Sequence, residues 1–158
     1  MTRTAAVIVA STRAAAGEYE DRTGPVIVGW LTQHDYLVAA PVVVADGPDV
    51  EAAIRAAVVE QAQLIITTGG TGVGRGDGTP EATAAVIDRE LPGVAEELRR
   101  RGAASTPFAL LSRGIAGTVG DSFIVNLPGS TGGVRDGLGL IGEIADHVFE
   151  QLAGGGHE

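Results

Sequence analysis

The sequence predicts an α/β fold: a three-layer α/β/α sandwich around a mostly parallel sheet, with one antiparallel hairpin element. Three observations carry this. First, hydrophobic residues make up 44% of the chain but aromatics only 4%, so the core is built from Ala, Val, Ile and Leu, the residues of strands covered on both faces. Second, the apolar run Ala5–Ala10 and the β-rich segment Leu64–Thr68 are too short for helices and are succeeded by segments of helical period. Third, Gly120-Asp121 between the β-rich segments Ile115–Val119 and Ser122–Leu127 is a two-residue hairpin turn. A chain of 158 residues fits one domain, expected over 1–153, with 154–158 as a flexible tail.

Ala5–Ala10 reads as a buried strand, and the polar stretch Ser11–Gly24 as a loop. Pro25 stands where a helix can begin, since its missing N–H is an orphan there anyway. Ile27, Trp30, Leu31 and His34 share one face of that helix. Leu37–Val44 is a second β-rich run. Asp46-Gly47-Pro48-Asp49 then turns the chain into a helix marked by Ile54, Val58 and Ala62. Leu64–Thr68 is a third strand. Thr79 is expected to cap the next helix, with Pro80 at its first position and Ala84, Ile87 and Leu91 facing inward. Leu91-Pro92-Gly93 breaks the chain before a charged helix reaching Arg101. On it, Glu96–Arg100 and Glu97–Arg101 are spaced as i,i+4 ion pairs, which makes Arg99–Arg101 a solvated face rather than an anion patch. After the hairpin, Pro128-Gly129-Ser130 leads into a last helix with Leu138, Ile141, Ala145, Val148 and Leu152 on its inner face.

Composition excludes several chemistries. The chain has no cysteine, so disulfides, thiolate metal sites and thiol nucleophiles are absent. All 11 basic residues are Arg, so lysine catalysis and Schiff bases are absent too. A net charge of −9 argues against a nucleic-acid partner. No span approaches the ~20 apolar residues of a membrane helix, and the N-terminal apolar run is too short for a signal segment, so a cytoplasmic protein is expected. His147 and His157 lack metal-ligand spacing, and His34 reads as a helix-end residue without a catalytic role. Trp30 reads as core or subunit interface.

The most informative stretch is TTGGTGVGRGDGTPEAT, residues 67–83. A Walker A loop needs a lysine that this chain lacks, and no frame through 69–78 supplies a dinucleotide GxGxxG. The loop must therefore bind by backbone. Small residues at 69–72 let main-chain N–H groups approach an anionic ligand closely. The Thr71 hydroxyl adds a donor. Asp77 reads either as a turn residue or as a carboxylate that holds Mg²⁺.

These residues resemble a known family. TTGGTG and, further on, Asp77-Gly78-Thr79-Pro80-Glu81-Ala82 are similar to the signature of the MogA/MoaB family, the molybdopterin adenylyltransferases that include the gephyrin G domains. The segment STRAAAGEYEDRTGP at 11–25 resembles the family's opening motif, and VVVAD at 42–46 its acidic strand end. LSRGIAG at 111–117 and NLPGS at 126–130 resemble two later motifs, so the likeness runs along nearly the whole chain. The resemblance implies a homotrimer. It also implies a Mg²⁺-dependent reaction in which ATP and molybdopterin give adenylylated molybdopterin and pyrophosphate. The implied partner is the downstream molybdate-insertion enzyme. Two rival readings stand beside it: a pterin-binding or interaction module without catalysis, and a nucleotide-binding α/β domain with another substrate. Arg75-Gly76 and Gly78 depart from the family pattern and loosen the loop; ordering it costs about 1–2 kcal/mol per fixed residue.

The resemblance also implies site residues. Asp77 is expected to organise Mg²⁺, with Asp46 as second carboxylate and Asp49 as its rival. Gly69, Gly70, Thr71 and Gly72 are expected to line the nucleotide phosphates. Asn126, Gly129 and Ser130 flank a helix N-terminus, a natural anion site. Ser11 and Ser112 are expected to donate to the pterin; Asp21 reads as a solvated loop acid rather than a neighbour of the pterin, and Arg13 and Arg75 are the candidates for a cationic partner. The loops Ser11–Gly24, Gly69–Gly78 and Pro128–Gly132 leave strand ends, and ligands bind at such ends in parallel sheets, so they are expected to share one rim.

Overall fold

The computed structural model describes residues 2–155. Seven strands form one sheet: β1 (Arg3–Ala10), β2 (Tyr36–Val38), β3 (Val42–Val44), β4 (Leu64–Thr68), β5 (Arg89–Glu90), β6 (Ala116–Val119) and β7 (Ser122–Leu127). Their order is β2-β1-β4-β7-β6-β5, with β3 also paired to β1. The pairs β1–β2, β1–β3, β1–β4 and β4–β7 are parallel. The β6–β7 hairpin turns through Gly120-Asp121, and β5 extends the antiparallel edge.

Alternate residues of the central strands face opposite layers, as the two-residue strand period requires. Val7, Leu64, Ile66, Phe123, Val125 and Leu127 pack against α2 (Thr23–Gln33), α5 (Pro92–Ala103) and α6 (Thr131–Leu152). Ile8, Ile65 and Ile124 pack on the other side against α3 (Pro48–Val59) and α4 (Thr79–Ala84). The expected three-layer sandwich is therefore the observed one. The central strands β1, β4 and β7 are aliphatic on both faces and admit a single aromatic side chain, the fully buried Phe123.

Several elements differ from expectation for local reasons. Ser11–Gly24 is not all loop: Thr12–Ala15 forms a short helix, α1, capped by the Ser11 hydroxyl, which accepts from the Ala14 N–H. α2 starts at Thr23, before Pro25. Leu37–Val44 is two strands because Pro41 has no N–H for a continuous ladder. α3 ends at Val59, so Ala62 is buried outside it, and its inner face is Val50, Ile54 and Ala57. α4 has only six residues and its N-cap is Gly78, not Thr79; its buried residues include Ala82 and Thr83, while Ala84 is exposed. On α5, Glu97 takes both Arg100 and Arg101, so the expected Glu96–Arg100 pair does not form. Arg99 points elsewhere, to the carbonyls of Ser112 and Gly114. The Gly154 N–H donates to Gln151 O and the Gly155 N–H to Glu150 O, closing α6 with Gly154 at φ +90°. Residues 156–158 of the expected tail, with His157, lie outside the described residues.

Candidate functional site

Strands β1, β4 and β7 run parallel and end side by side, and the segment leaving each end is short and glycine-rich or polar. After β4 comes the glycine loop. After β7 comes Pro128-Gly129-Ser130, where Ser130 caps α6 by accepting from the Gly133 N–H at 3.1 Å. After β1 comes Ser11. The chain leaves β1 toward β2 on one side and later returns with β4 on the other, so the site lies at a topological switch point of the sheet.

The strand ends are tied together. The Gly69 N–H donates to Leu127 O at 3.1 Å. The Thr68 hydroxyl donates to Pro128 O at 2.8 Å and lies 3.2 Å from the Thr23 hydroxyl. Asn126 is only 3% exposed, and its side chain is fully occupied. Its Nδ2 donates to the hydroxyls of Thr67 and Thr83, each at 2.9 Å, and its Oδ1 accepts from the Ile115 N–H at 3.1 Å. This residue, expected at the phosphate site, lines the cavity while serving as a tie between β4, β7 and α4.

Two hollows open on this rim. The larger, about 720 Å³, is bounded by Gly70, Thr71, Asp77, Ser112, Arg135 and the 3-10 turn Pro107–Leu111. Phe108 of that turn stands 76% exposed, giving this hollow an apolar lip. The smaller, about 380 Å³, is bounded by Ser11, Tyr19, Asp21, Arg22 and Thr23. The two share Gly69, Gly129 and Ser130 as a common ridge. The three expected loops thus meet on one rim. Among the described residues, the N–H groups of Gly70, Thr71, Gly72, Gly129 and Ser130 make no hydrogen bond within the chain. A row of unpaired backbone donors beside the first turn of a 22-residue helix has the chemistry that favours an anion.

The expected residues are not all brought together. Ser112 lines the larger hollow and Ser11 the smaller, so the two serines do not share a pocket. Asp77 stands on the wall of the larger hollow, and its Oδ2 accepts from the Gly74 N–H at 3.1 Å. Asp46 lies behind the loop. One of its carboxylate oxygens, Oδ2, accepts from the Thr12 hydroxyl at 3.1 Å, whereas Oδ1 is buried with no hydrogen-bond partner. Gly70 explains its own identity. At φ +68°, a Cβ there would overlap the Thr79 hydroxyl and come within 2.9 Å of Asp46 Oδ1. The glycine is therefore demanded from inside the protein as well as by any ligand. Asp46, Asp49, Arg13 and Arg75 line neither hollow, so the second expected carboxylate does not face the space that Asp77 faces. Trp30 is half-buried and stacks on His34 at 3.9 Å, away from the rim.

The donor set suits a hard divalent cation in part. Asp77 is a carboxylate of the kind Mg²⁺ takes and faces the larger hollow, whereas the unpaired oxygen of Asp46 is buried outside both hollows. Among the described residues no three acidic or histidine side chains are placed to hold one metal ion, so phosphate oxygens and water must complete any octahedron. No described helix is long and apolar enough to cross a membrane.

One residue at the site escaped the sequence reading. Arg113 sits within LSRGIAG, yet its guanidinium crosses to the glycine loop, with Nε donating to Gly72 O at 2.7 Å and Nη2 to Asp77 O at 2.8 Å. Its Nη1 pairs with Glu81 of α4 at 2.7 Å. The partners are 32–41 residues away in sequence, and no local pattern signals them.

The likeness to known proteins agrees with this geometry. Residues 6–147 match the family described as a probable molybdopterin binding domain. The molybdenum cofactor biosynthesis bifunctional protein of Synechococcus elongatus is 41% identical over 154 residues, which are 97% of this chain and 48% of that protein. The chain thus spans about half the length of that curated relative. The molybdopterin adenylyltransferase of Helicobacter pylori strain J99 is 39% identical over 152 residues, 94% of this chain and 86% of that one. Among solved structures, the molybdopterin biosynthesis Mog protein from Mycobacterium ulcerans superposes with a TM-score of 0.92 at 48% identity, covering 96% of this chain and 99% of that one. With the same motifs, the same fold and matches of this extent, the chain belongs to the MogA/MoaB family of molybdopterin-binding domains.

Proposed function

We propose that the chain works in molybdenum cofactor biosynthesis as a molybdopterin adenylyltransferase, the activity named for its Helicobacter relative. The observation that carries this reading is the pair of hollows meeting at Gly69, Gly129 and Ser130. An adenylylated pterin has a heteroaromatic ring system at each end and phosphates between. Two ring-sized hollows divided by unpaired backbone donors match that outline.

In the proposed reaction, an oxygen of the molybdopterin phosphate monoester attacks the α-phosphorus of ATP. The bond from that phosphorus to the bridging oxygen breaks and pyrophosphate leaves. The nucleophile is already ionised near neutral pH, so no general base is needed from the chain. What remains is positioning and charge neutralisation. The N–H groups of Gly70–Gly72 hold phosphate oxygens, and those of Gly129 and Ser130 fix the bridging group against the α6 N-terminus. Asp77 would hold Mg²⁺, which when bound neutralises phosphate charge. Ser11 and Ser112 orient the two ends of the ligand in their separate hollows. Asn126 keeps the strand ends in register beneath it.

Pyrophosphate release from ATP, measured with and without molybdopterin, tests the proposal. Molybdopterin-dependent release is expected. Molybdopterin binding with no release selects the non-catalytic module instead. The same reading makes the assembly a cyclic homotrimer. Light scattering checks this, and a monomer mass across micromolar concentrations opposes it.

A further inference from the structure

The glycine loop poses a problem of order. Four of the seven residues from Gly72 to Gly78 are glycine, a composition that loses more conformational entropy on ordering than any other. Thr79 closes its base, the N–H donating to Gly70 O at 3.1 Å and the hydroxyl to Gly69 O at 3.0 Å. An inner turn is closed where the Asp77 N–H donates to Gly74 O at 3.0 Å and Asp77 Oδ2 accepts from the Gly74 N–H. Between these, among the described residues, Thr71, Gly72 and the Asp77 carbonyl have no partner inside the loop. Yet this loop carries Asp77 and the unpaired amides of Gly70–Gly72.

Arg113 supplies the restraint between base and inner turn. Its backbone N–H donates to Thr71 O at 2.8 Å, and its guanidinium donates to Gly72 O and Asp77 O. One residue therefore grips the loop at both entrance and exit. Glu81 fixes the remaining edge of the guanidinium through both carboxylate oxygens, at 2.7 and 3.0 Å. The backbone of Arg113 is held in turn. Arg99 of α5 donates from Nη1 to Ser112 O at 3.1 Å and to Gly114 O at 3.0 Å, the carbonyls on either side of it. The two arginines form a brace running from α5 through the 112–114 turn to the loop. A planar five-donor fork serves separated acceptors at once, which an ammonium cannot do.

We infer that Arg113 is a positioning residue: it sets the glycine loop, before any ligand arrives, in the shape that presents Asp77 and the Gly70–Gly72 amides. Its effect on turnover rests on the adenylyl-transfer reading; its effect on loop order does not.

Hydrogen exchange of the ligand-free full chain, paired with pyrophosphate release, tests the inference in wild type, Arg113→Ala and Arg113→Lys. In Arg113→Ala, peptides covering 69–78 should exchange about tenfold faster or more, while sheet peptides keep their protection. The kcat/KM for ATP should fall about 10²-fold, with molybdopterin affinity kept within a few-fold. Millimolar guanidinium should restore part of the loss, and Arg113→Lys should resemble Arg113→Ala more than wild type. Unchanged loop exchange in Arg113→Ala overturns the inference, as does a loosened loop with wild-type turnover. Should Arg113→Ala lose sheet protection throughout, Glu81→Gln decides: it leaves the carbonyl contacts but removes the anchoring charge. Faster loop exchange in that variant supports the brace, and unchanged exchange overturns it. If wild type releases no pyrophosphate while Arg113→Ala still loosens the loop, the reaction is wrong and the brace stands.

Discussion

Two phosphate-suited turns lie side by side at the ends of β4 and β7, and they are held in opposite ways. The turn after β7 organises itself. Ser130 caps α6 across three residues, and the helix behind it supplies the oriented N–H groups. The loop after β4 is longer, richer in glycine and backed by a helix of only six residues. Its shape comes from side chains outside it: Arg113 on one flank, and Thr79 beneath it, whose hydroxyl donates to Gly69 O at 3.0 Å. A turn that caps its own helix tolerates change elsewhere. A loop braced from a distance fails when any member of the brace is removed.

The sharpest way to break both turns together is Asn126→Ala. It strands the Ile115 N–H, two threonine hydroxyls and the seam between β4 and β7. We expect a loss of about 3 kcal/mol in denaturant unfolding, since each unpaired buried group costs about 1–3 kcal/mol. A loss under about 1 kcal/mol would mean that the two turns are not coupled through this residue. Next comes the functional group that only the glycine loop carries. Asp77→Asn keeps the shape of the side chain and removes its charge, so turnover should fall about 10²-fold while stability and molybdopterin affinity change little. Steady-state pyrophosphate release at saturating Mg²⁺ measures this; near-wild-type turnover reduces Asp77 to a turn residue.

Gly70→Ala tests the demand from inside the protein. Adding a Cβ at φ +68° beside the Thr79 hydroxyl and Asp46 should cost about 1–3 kcal/mol and weaken ATP binding at the same time. Thermal unfolding and ATP titration together check it, and weakened binding at full stability would mean that the ligand alone requires glycine there. Ser130→Ala tests the self-organised turn. It should cost about 1 kcal/mol, the scale of a lost N-cap, without loosening residues 69–78 in hydrogen exchange.

The smallest effect belongs to Glu97 of α5, whose bonds to Arg100 and Arg101 touch neither turn. Hydrogen bonds from Arg100 and Arg101 hold the Glu97 carboxyl down at about 2, below its ordinary value of 4.5. A depressed folded-state pKa means the contribution is fully present above the ordinary carboxylate range. It is lost as the pH falls from about 4.5 through about 2. Glu97→Gln should flatten the acid limb of the stability curve slightly in that window and leave neutral stability nearly unchanged, which acid titration of the unfolding midpoint measures.

Much of the fold and of the site was legible from residues alone, because the causes are local. Short apolar runs without aromatics dictate strands buried on both faces. Gly120-Asp121 dictates the hairpin, Ser130 the cap of α6, and the glycines at 69–72 a turn with unpaired backbone N–H groups. Where local rules failed, two local signals competed or a distant partner won. Pro41 divided one β-run into two strands, and the Thr79 hydroxyl went to Gly69 O rather than to a cap. The pairing of Arg113 with the glycine loop, the burial of Asp46 Oδ1 behind Gly70, and the separation of Ser11 from Ser112 were decided only by tertiary structure. Each depends on which strand ends the sheet order brings together. A side chain's distant partners are set by that packing and not by its neighbours along the chain.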